Sequence, residues 1–209
     1  MNVFARVSHG FRGPTIQGRN AVFSSAFVTA TSETITSYEA GIKSNLFGNT
    51  LRFNATGFYY KVHNIQLNGN DANNNGLLFN ANQAQAWGGE AELTWRPVPE
   101  FTLGLGGSVL HTEINDTRVY APVCKLNGVV TCTVLNPTIN VGAATLAQIN
   151  GNVLPDAPKY QLDANARYDY PLGNGGKLFL AGDVTLQGYT SFVPYKTVEY
   201  TSDGTFEAG

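Results

Sequence analysis

The sequence predicts an all-β fold: an antiparallel transmembrane β-barrel segment of about seven to eight strands. Three observations carry this. The first is strict alternation. Tyr160, Leu162, Ala164, Ala166, Tyr168 and Tyr170 fall on one face of an extended stretch, and Gln161, Asp163, Asn165, Arg167 and Asp169 on the other. The second is the placing of aromatic and charged residues. The apolar face is tipped with tyrosines and the opposite face carries both signs of charge, as in a strand with lipid on one side and a wet lumen on the other. The third is the connections. Short ones near 46–50, 97–100 and 172–176 alternate with long ones near 9–33, 64–76 and 113–158. Short turns at one rim and long loops at the other are the habit of outer-membrane barrels, whereas long structureless gaps would count against a compact soluble domain.

Taken in order, the first strand runs from Asn2 to Ser8, with Val3, Ala5 and Val7 in phase. The second runs from Ile35 to Asn45, with Tyr38, Ala40 and Ile42 opposing Ser37, Glu39 and Lys43, and Phe47-Gly48-Asn49-Thr50 turns the chain. The third runs from Leu51 to about Leu67 on Leu51, Phe53, Ala55 and Tyr59. The fourth spans Leu77 to Arg96, with Ala91, Leu93 and Trp95 against Glu90, Glu92, Thr94 and Arg96, and ends at the Pro97-Val98-Pro99-Glu100 turn. Leu103, Leu105 and Val109 phase the fifth, Phe101 to Thr112. The sixth is the stretch from Tyr160, followed by the hairpin turn Gly173-Asn174-Gly175-Gly176. The seventh runs from Lys177 to about Tyr189, with Leu178, Leu180, Val184 and Leu186 opposing Lys177, Asp183, Thr185 and Gln187. An eighth begins near Val193.

Composition narrows the function. The 209 residues include 23 Gly, 10 Tyr and 12 Phe, only 13% are charged, and the net charge of −2 leaves no basic stripe for nucleic acid. No apolar run reaches the roughly 18 residues of a transmembrane helix, and barrel strands of about 10 residues need none. Met1 leads at once into strand sequence without an export signal, and Thr205 to Gly209 read as the middle of a loop, so the chain is expected to be truncated at both ends.

Five stretches, in order, resemble the C-terminal part of the barrel of a TonB-dependent outer-membrane receptor. Asn2 to Pro14 is similar to the family's strand ending in Gly-Phe-Arg-x-Pro. Residues 33–46 look like its Glu-Thr-x-x-Ser-Tyr-Glu-x-Gly-x-Lys strand, and residues 51–60 like the strand that follows. Gly88 to Pro97 resembles Gly-x-Glu-x-Glu leading to Pro, and Pro155 to Tyr168 resembles Pro-x-Ala-Pro-Lys leading into a strand that ends Arg-Tyr. The resemblance implies a plugged barrel of about 22 strands. On that reading residues 1–209 are a partial barrel, with the plug domain and the C-terminal strands absent. It implies a protein of the bacterial outer membrane in contact with outer-membrane lipid. It implies energy-coupled uptake of a scarce nutrient such as an iron–siderophore complex, with a small-molecule metal chelate as ligand and the TonB complex engaged through the plug. Two rival readings remain: a passive porin-like or adhesin-type barrel without a plug, and a soluble all-β binding module. Nothing points to an enzyme or a cofactor. No nucleophile motif or phosphate loop stands out, and Gly104-Leu105-Gly106-Gly107 lies inside a strand.

Cys124 and Cys132, with seven residues between them in the longest gap, are expected to form a disulfide bracing an external loop, since exported proteins meet an oxidising compartment. Two independent thiols are the alternative. Asp71-Ala72-Asn73-Asn74-Asn75-Gly76 copies the first half of a calcium loop, but Asn82 stands where the motif needs a bidentate Glu, so a solvated turn is the better account. Glu90, Glu92, Arg96, Asp163, Arg167 and Asp183 are expected to face the lumen, and their charges line water rather than perform acid–base chemistry. Tyr38, Tyr59, Trp95, Tyr168 and Tyr170, joined by Tyr60 and Trp87, are expected to form aromatic girdles. His9, His63 and His111 are far apart in sequence and are read as strand-end residues rather than ligands.

Overall fold

The computed structural model describes residues 1–17, 29–70, 76–126, 129–173 and 175–209. Eight strands build one sheet: β1 Asn2–Arg12, β2 Glu33–Leu46, β3 Leu51–Asn70, β4 Gly76–Trp95, β5 Phe101–Ile114, β6 Tyr160–Pro171, β7 Lys177–Gln187 and β8 Thr205–Ala208. Each pairs antiparallel with the next in chain order, so the sheet is an up-and-down meander. It does not close on itself: β1 and β8 are its two edges.

Register turns eight separate alternations into two continuous surfaces. One row across all eight strands reads Val3, Ile42, Ala55, Ala91, Gly107, Leu162, Leu186 and Phe206. The row one step away reads Phe4, Gly41, Thr56, Glu90, Ser108, Gln161, Gln187 and Thr205. A one-residue slip anywhere would exchange the two faces, so the alternation itself fixes the pairing. The apolar face is left open: Leu180 is 77% exposed and Leu178 61%, a larger apolar patch than a soluble monomer ordinarily shows to water. Ser44 stands on that face, and its hydroxyl donates to the Phe53 carbonyl at 3.1 Å. Such internal satisfaction is what a polar group needs away from water.

On the polar face two aromatic rings lie over glycines. A Cβ on Gly41 would come within 2.7 Å of the Phe4 ring, and one on Gly88 within 3.0 Å of Phe58. The missing side chains let the rings lie flat across the neighbouring strand.

The three short connections are tight turns. Phe47–Asn49 forms a single 3-10 turn with positive φ at Phe47, Gly48 and Asn49. Phe101 N–H closes back on the Val98 carbonyl, and Gly175 N–H on that of Leu172. The opposite rim differs from the expectation in three ways. The gap at 64–76 is mostly strand, because β3 and β4 extend to Asn70 and Gly76 as a long hairpin. The gap at 113–158 is folded: Tyr120–Pro122, Thr138–Val141 and Ala144–Gln148 form a small three-stranded sheet. The eighth strand begins at Thr205 rather than near Val193, because residues 192–200 are held in this loop assembly. Leu67, Ala81, Ile114, Val119, Ala121, Val123, Ala147, Ile149 and Tyr195 form its hydrophobic core.

Candidate functional site

The polar face is concave and carries charge. Beside β1 to β4 lies a hollow of about 490 Å³ lined by Arg6, Glu39, Lys43, Arg52, Glu90 and Glu92. Arg6 pairs with Glu39 at 2.5 Å, and Ser37 Oγ donates to the same carboxylate at 3.1 Å. A second hollow of about 310 Å³ continues the surface past Gly104 and Gly106 to Asp163 and Asn165. A Cβ on Gly106 would strike the Asp163 carboxylate at 2.4 Å, so the absent side chains are what let Asp163 and Asn165 lie across β5. Arg6, Lys43 and Arg52 stand on β1 to β3 beside Glu39, and Glu90, Glu92 and Asp163 line the hollows on the strands that follow, with Asp183 cross-strand from Asn165. Arg167 takes Asp169 as its partner at 2.6 Å and spreads its guanidinium 4.2 Å over the Phe179 ring. Arg96 falls outside this group. The strand ends at Trp95, and Arg96 N–H donates to Thr50 O in the turn, so it does not share the strand with Glu90 and Glu92.

The aromatic side chains stand toward the two rims of the apolar face. Tyr38 and Tyr59 are cross-strand partners with ring centroids 6.3 Å apart. Trp87 pairs with Tyr59 on one side and stacks on His111 at 5.0 Å on the other. Trp95, Tyr168 and Tyr170 lie toward the short-turn rim on the same face. Tyr60 falls on the opposite, polar face, stacked on Phe58 at 4.9 Å. Trp95 is eight positions beyond Trp87, about 26 Å of strand at about 3.3 Å per residue. A tilt near 40° reduces that to a height of roughly 20 Å, close to the apolar band of outer-membrane barrels.

At the long-loop rim the structure ties residues 113–158 to residues 188–204. Cys124 and Cys132 are joined as a disulfide with their Cα atoms 5.9 Å apart. The Tyr195 hydroxyl accepts the Cys124 N–H at 3.0 Å, and burial pushes the pKa of that hydroxyl up. Asn136 and Asn152 exchange amide hydrogen bonds at 3.2 and 3.1 Å. Asn152 also donates to the Pro194 carbonyl at 2.9 Å, and Lys196 N–H donates to Asn136 Oδ1 at 2.6 Å. Glu199 accepts the Thr133 N–H and the Thr197 hydroxyl, and these bonds, that of Thr197 foremost, hold its carboxyl down at about 2. The side of this assembly beside the hairpin tip encloses about 420 Å³ between Phe192, Tyr195, Tyr200, Lys125 and the backbone at Asn68 and Gly69. These cross-loop ties escape sequence reading because none has a fixed spacing; only the Cys pair signals the region.

Among the described residues no group of three or more His, Cys, Asp or Glu is placed to hold a metal ion. Most of the calcium-like stretch, residues 71–75, lies outside the described residues. Asn82 belongs to β4, where its backbone N–H donates to Asp116.

Comparison with known proteins agrees with this geometry. No curated protein matches the chain. Among solved structures, the ferric yersiniabactin uptake receptor FyuA from Yersinia pestis is similar, with a TM-score of 0.69 and 18% identity over 99% of this chain and 26% of that one. BauA, the ferric preacinetobactin receptor from Acinetobacter baumannii, gives 0.60 and 17% over 99% and 26%. The copper transporter OprC gives 0.61 and 12% over 99% and 28%. At these identities the likeness concerns the fold, and the chain spans about a quarter of each of those proteins. The model of the TonB dependent receptor-like β-barrel matches residues 1–208, and the chain belongs to that family.

Proposed function

We propose that this chain forms part of the wall of an outer-membrane receptor that takes up a scarce nutrient, a metal chelate such as an iron–siderophore complex, by TonB-coupled transport. The observation that supports this most is the pairing of two features on one sheet. A continuous apolar face framed by aromatic residues backs a charged concave face, and every long connection leaves from the same rim. On this reading the apolar face meets lipid. Glu90, Glu92, Asp163, Arg167 and Asp183 face the lumen, with Arg96 at its short-turn mouth. Tyr38, Tyr59, Trp95, Tyr168 and Tyr170 sit at the two interfaces, and the disulfide-braced loops face outward to meet the ligand. Plug and C-terminal strands complete the barrel in the whole receptor, and the plug carries the coupling to TonB. The ligand class is drawn from what the similar structures transport and from the family.

The test is transport. Cells carrying the full-length protein should accumulate a radiolabelled ferric chelate only when TonB and the membrane potential are intact. Passage of small solutes that ignores both would turn the reading into a passive porin.

A further inference from the structure

The chain has three histidines, at positions 9, 63 and 111, scattered through its sequence. Register gathers them. Trp87 pairs with His111, so His111 continues the Tyr38, Tyr59 and Trp87 row. One step toward the long loops, Thr36 has His9 on one side and Lys61 on the other. One step further, His63 pairs with Thr34 and Gln83. By alternation all four groups stand on the apolar face, at or just past its outer aromatic row. His9, His63 and His111 are exposed and Lys61 is half-buried. The same face at the other rim ends in Leu46, Leu51, Trp95, Tyr170 and Leu178, and among the described residues it carries no Lys, Arg or His side chain there.

We propose that this band docks the phosphate groups of anionic lipid in the outer leaflet, an inference that rests on the membrane-spanning reading above. From β1 to β5 is four strand steps, about 19 Å at roughly 4.8 Å each, too wide for one ion but suited to a row of headgroups. Imidazole N–H groups and an ammonium are donors to phosphate oxygen, and a lysine just beyond an aromatic girdle lies at headgroup depth. His9 Nδ1 meets the Thr36 hydroxyl at 3.0 Å, which leaves its other ring nitrogen open, and His111 is stacked on Trp87. The carboxylate on this part of the face is Glu113. It accepts from Gln85 Nε2 at 2.9 Å, and Gln85 in turn accepts from the Tyr59 hydroxyl at 3.3 Å. Among the described residues no carboxylate forms an ion pair with Lys61.

The experiment places the full-length protein in phosphatidylcholine nanodiscs doped with diphosphorylated lipid A, or with its dephosphorylated form, and counts retained lipid by native mass spectrometry. Lys61→Met should lower retention of the phosphorylated lipid about fivefold, a typical effect of one surface cation. Lys61→Arg should restore it, and adding His9→Gln and His111→Gln should lower it further. Equal retention of the two lipids, or Lys61→Met behaving as wild type, overturns the proposal while the barrel stands. Failure of the wild type to enter nanodiscs at all overturns the barrel reading and this one with it.

Discussion

Arginine at Ala164 probes the sheet where its two faces differ most. Ala164 lies four residues from both Tyr160 and Tyr168 on β6. That is about 13 Å of strand each way at about 3.3 Å per residue. Tilted by about 40°, it leaves the side chain some 10 Å from each rim, near the middle of the apolar band. Its cross-strand neighbours are Leu105 and Val184, and neither offers an arginine a partner. An arginine at the midplane of a barrel's lipid face costs roughly 2–4 kcal/mol, and alanine gives up almost no apolar area when replaced. Asn165, the next residue, turns to the polar face and pairs with Asp183, so Asn165→Arg gains an opposite charge and should stay within about 0.5 kcal/mol of wild type. The two variants differ by one position and should differ by at least about tenfold in their folding equilibrium, at 1.4 kcal/mol per tenfold. Urea unfolding of the full-length protein in phosphatidylcholine vesicles, followed by tryptophan fluorescence, measures this. If Asn165→Arg costs as much as Ala164→Arg, the facial assignment is wrong.

Three further predictions concern the loops and the glycines. Replacing Cys124 and Cys132 by alanine opens a short loop whose closure is worth about 2.5 kcal/mol in the chain-entropy account. Limited proteolysis should therefore cut between residues 113 and 158 sooner, with the unfolding midpoint of the sheet unmoved. Glu199 has its folded pKa held at about 2, against 4.5 for the free group. Its contribution is present in full above about pH 4.5 and lost as pH falls through 2; corrected for the intrinsic pH dependence, amide exchange at Thr133 should accelerate across that window, and Glu199→Gln should abolish the pH response. Gly88→Ala would drive a Cβ to 2.1 Å from the Val109 carbonyl oxygen, an obstacle of backbone, whereas Gly106→Ala meets a carboxylate that can swing away into water. The first should cost about 1–3 kcal/mol and the second well under 1, by the same urea titration.

Much of this architecture was legible because barrel strands are read two residues at a time. The seven strands named from alternation all exist, most within a few residues of their expected ends, and the short turns follow from Gly, Pro and Asn. Strand ends at the long-loop rim were placed short because alternation fades there. Past Val62 burial no longer follows one face: Leu67 and Ala81, in phase with Tyr59 and Trp87, are buried in the loop core, and Gln66 of the other phase is buried too, so periodic polarity no longer marks a face. The eighth strand was misplaced for a similar reason: Val193 and Tyr195 are apolar because they belong to the loop core. The charged groups of the polar face could be listed from sequence but not paired. Arg6 with Glu39 needs the register of β1 on β2, and the gathering of three histidines needs four registers at once. Arg96 shows the limit of parity alone, since it has the right phase and stands past the strand's end.

The central claim is that one face of this sheet meets lipid and the other water. It is tested most directly by nitroxide scanning from Tyr160 to Tyr170 in the full-length protein in vesicles, with Cys124 and Cys132 left joined. Accessibility to oxygen should peak at Leu162, Ala164 and Ala166, and accessibility to a water-soluble nickel chelate at Asp163, Asn165 and Arg167, in strict alternation. A profile without period two, or nickel access at both sets of positions, would contradict it.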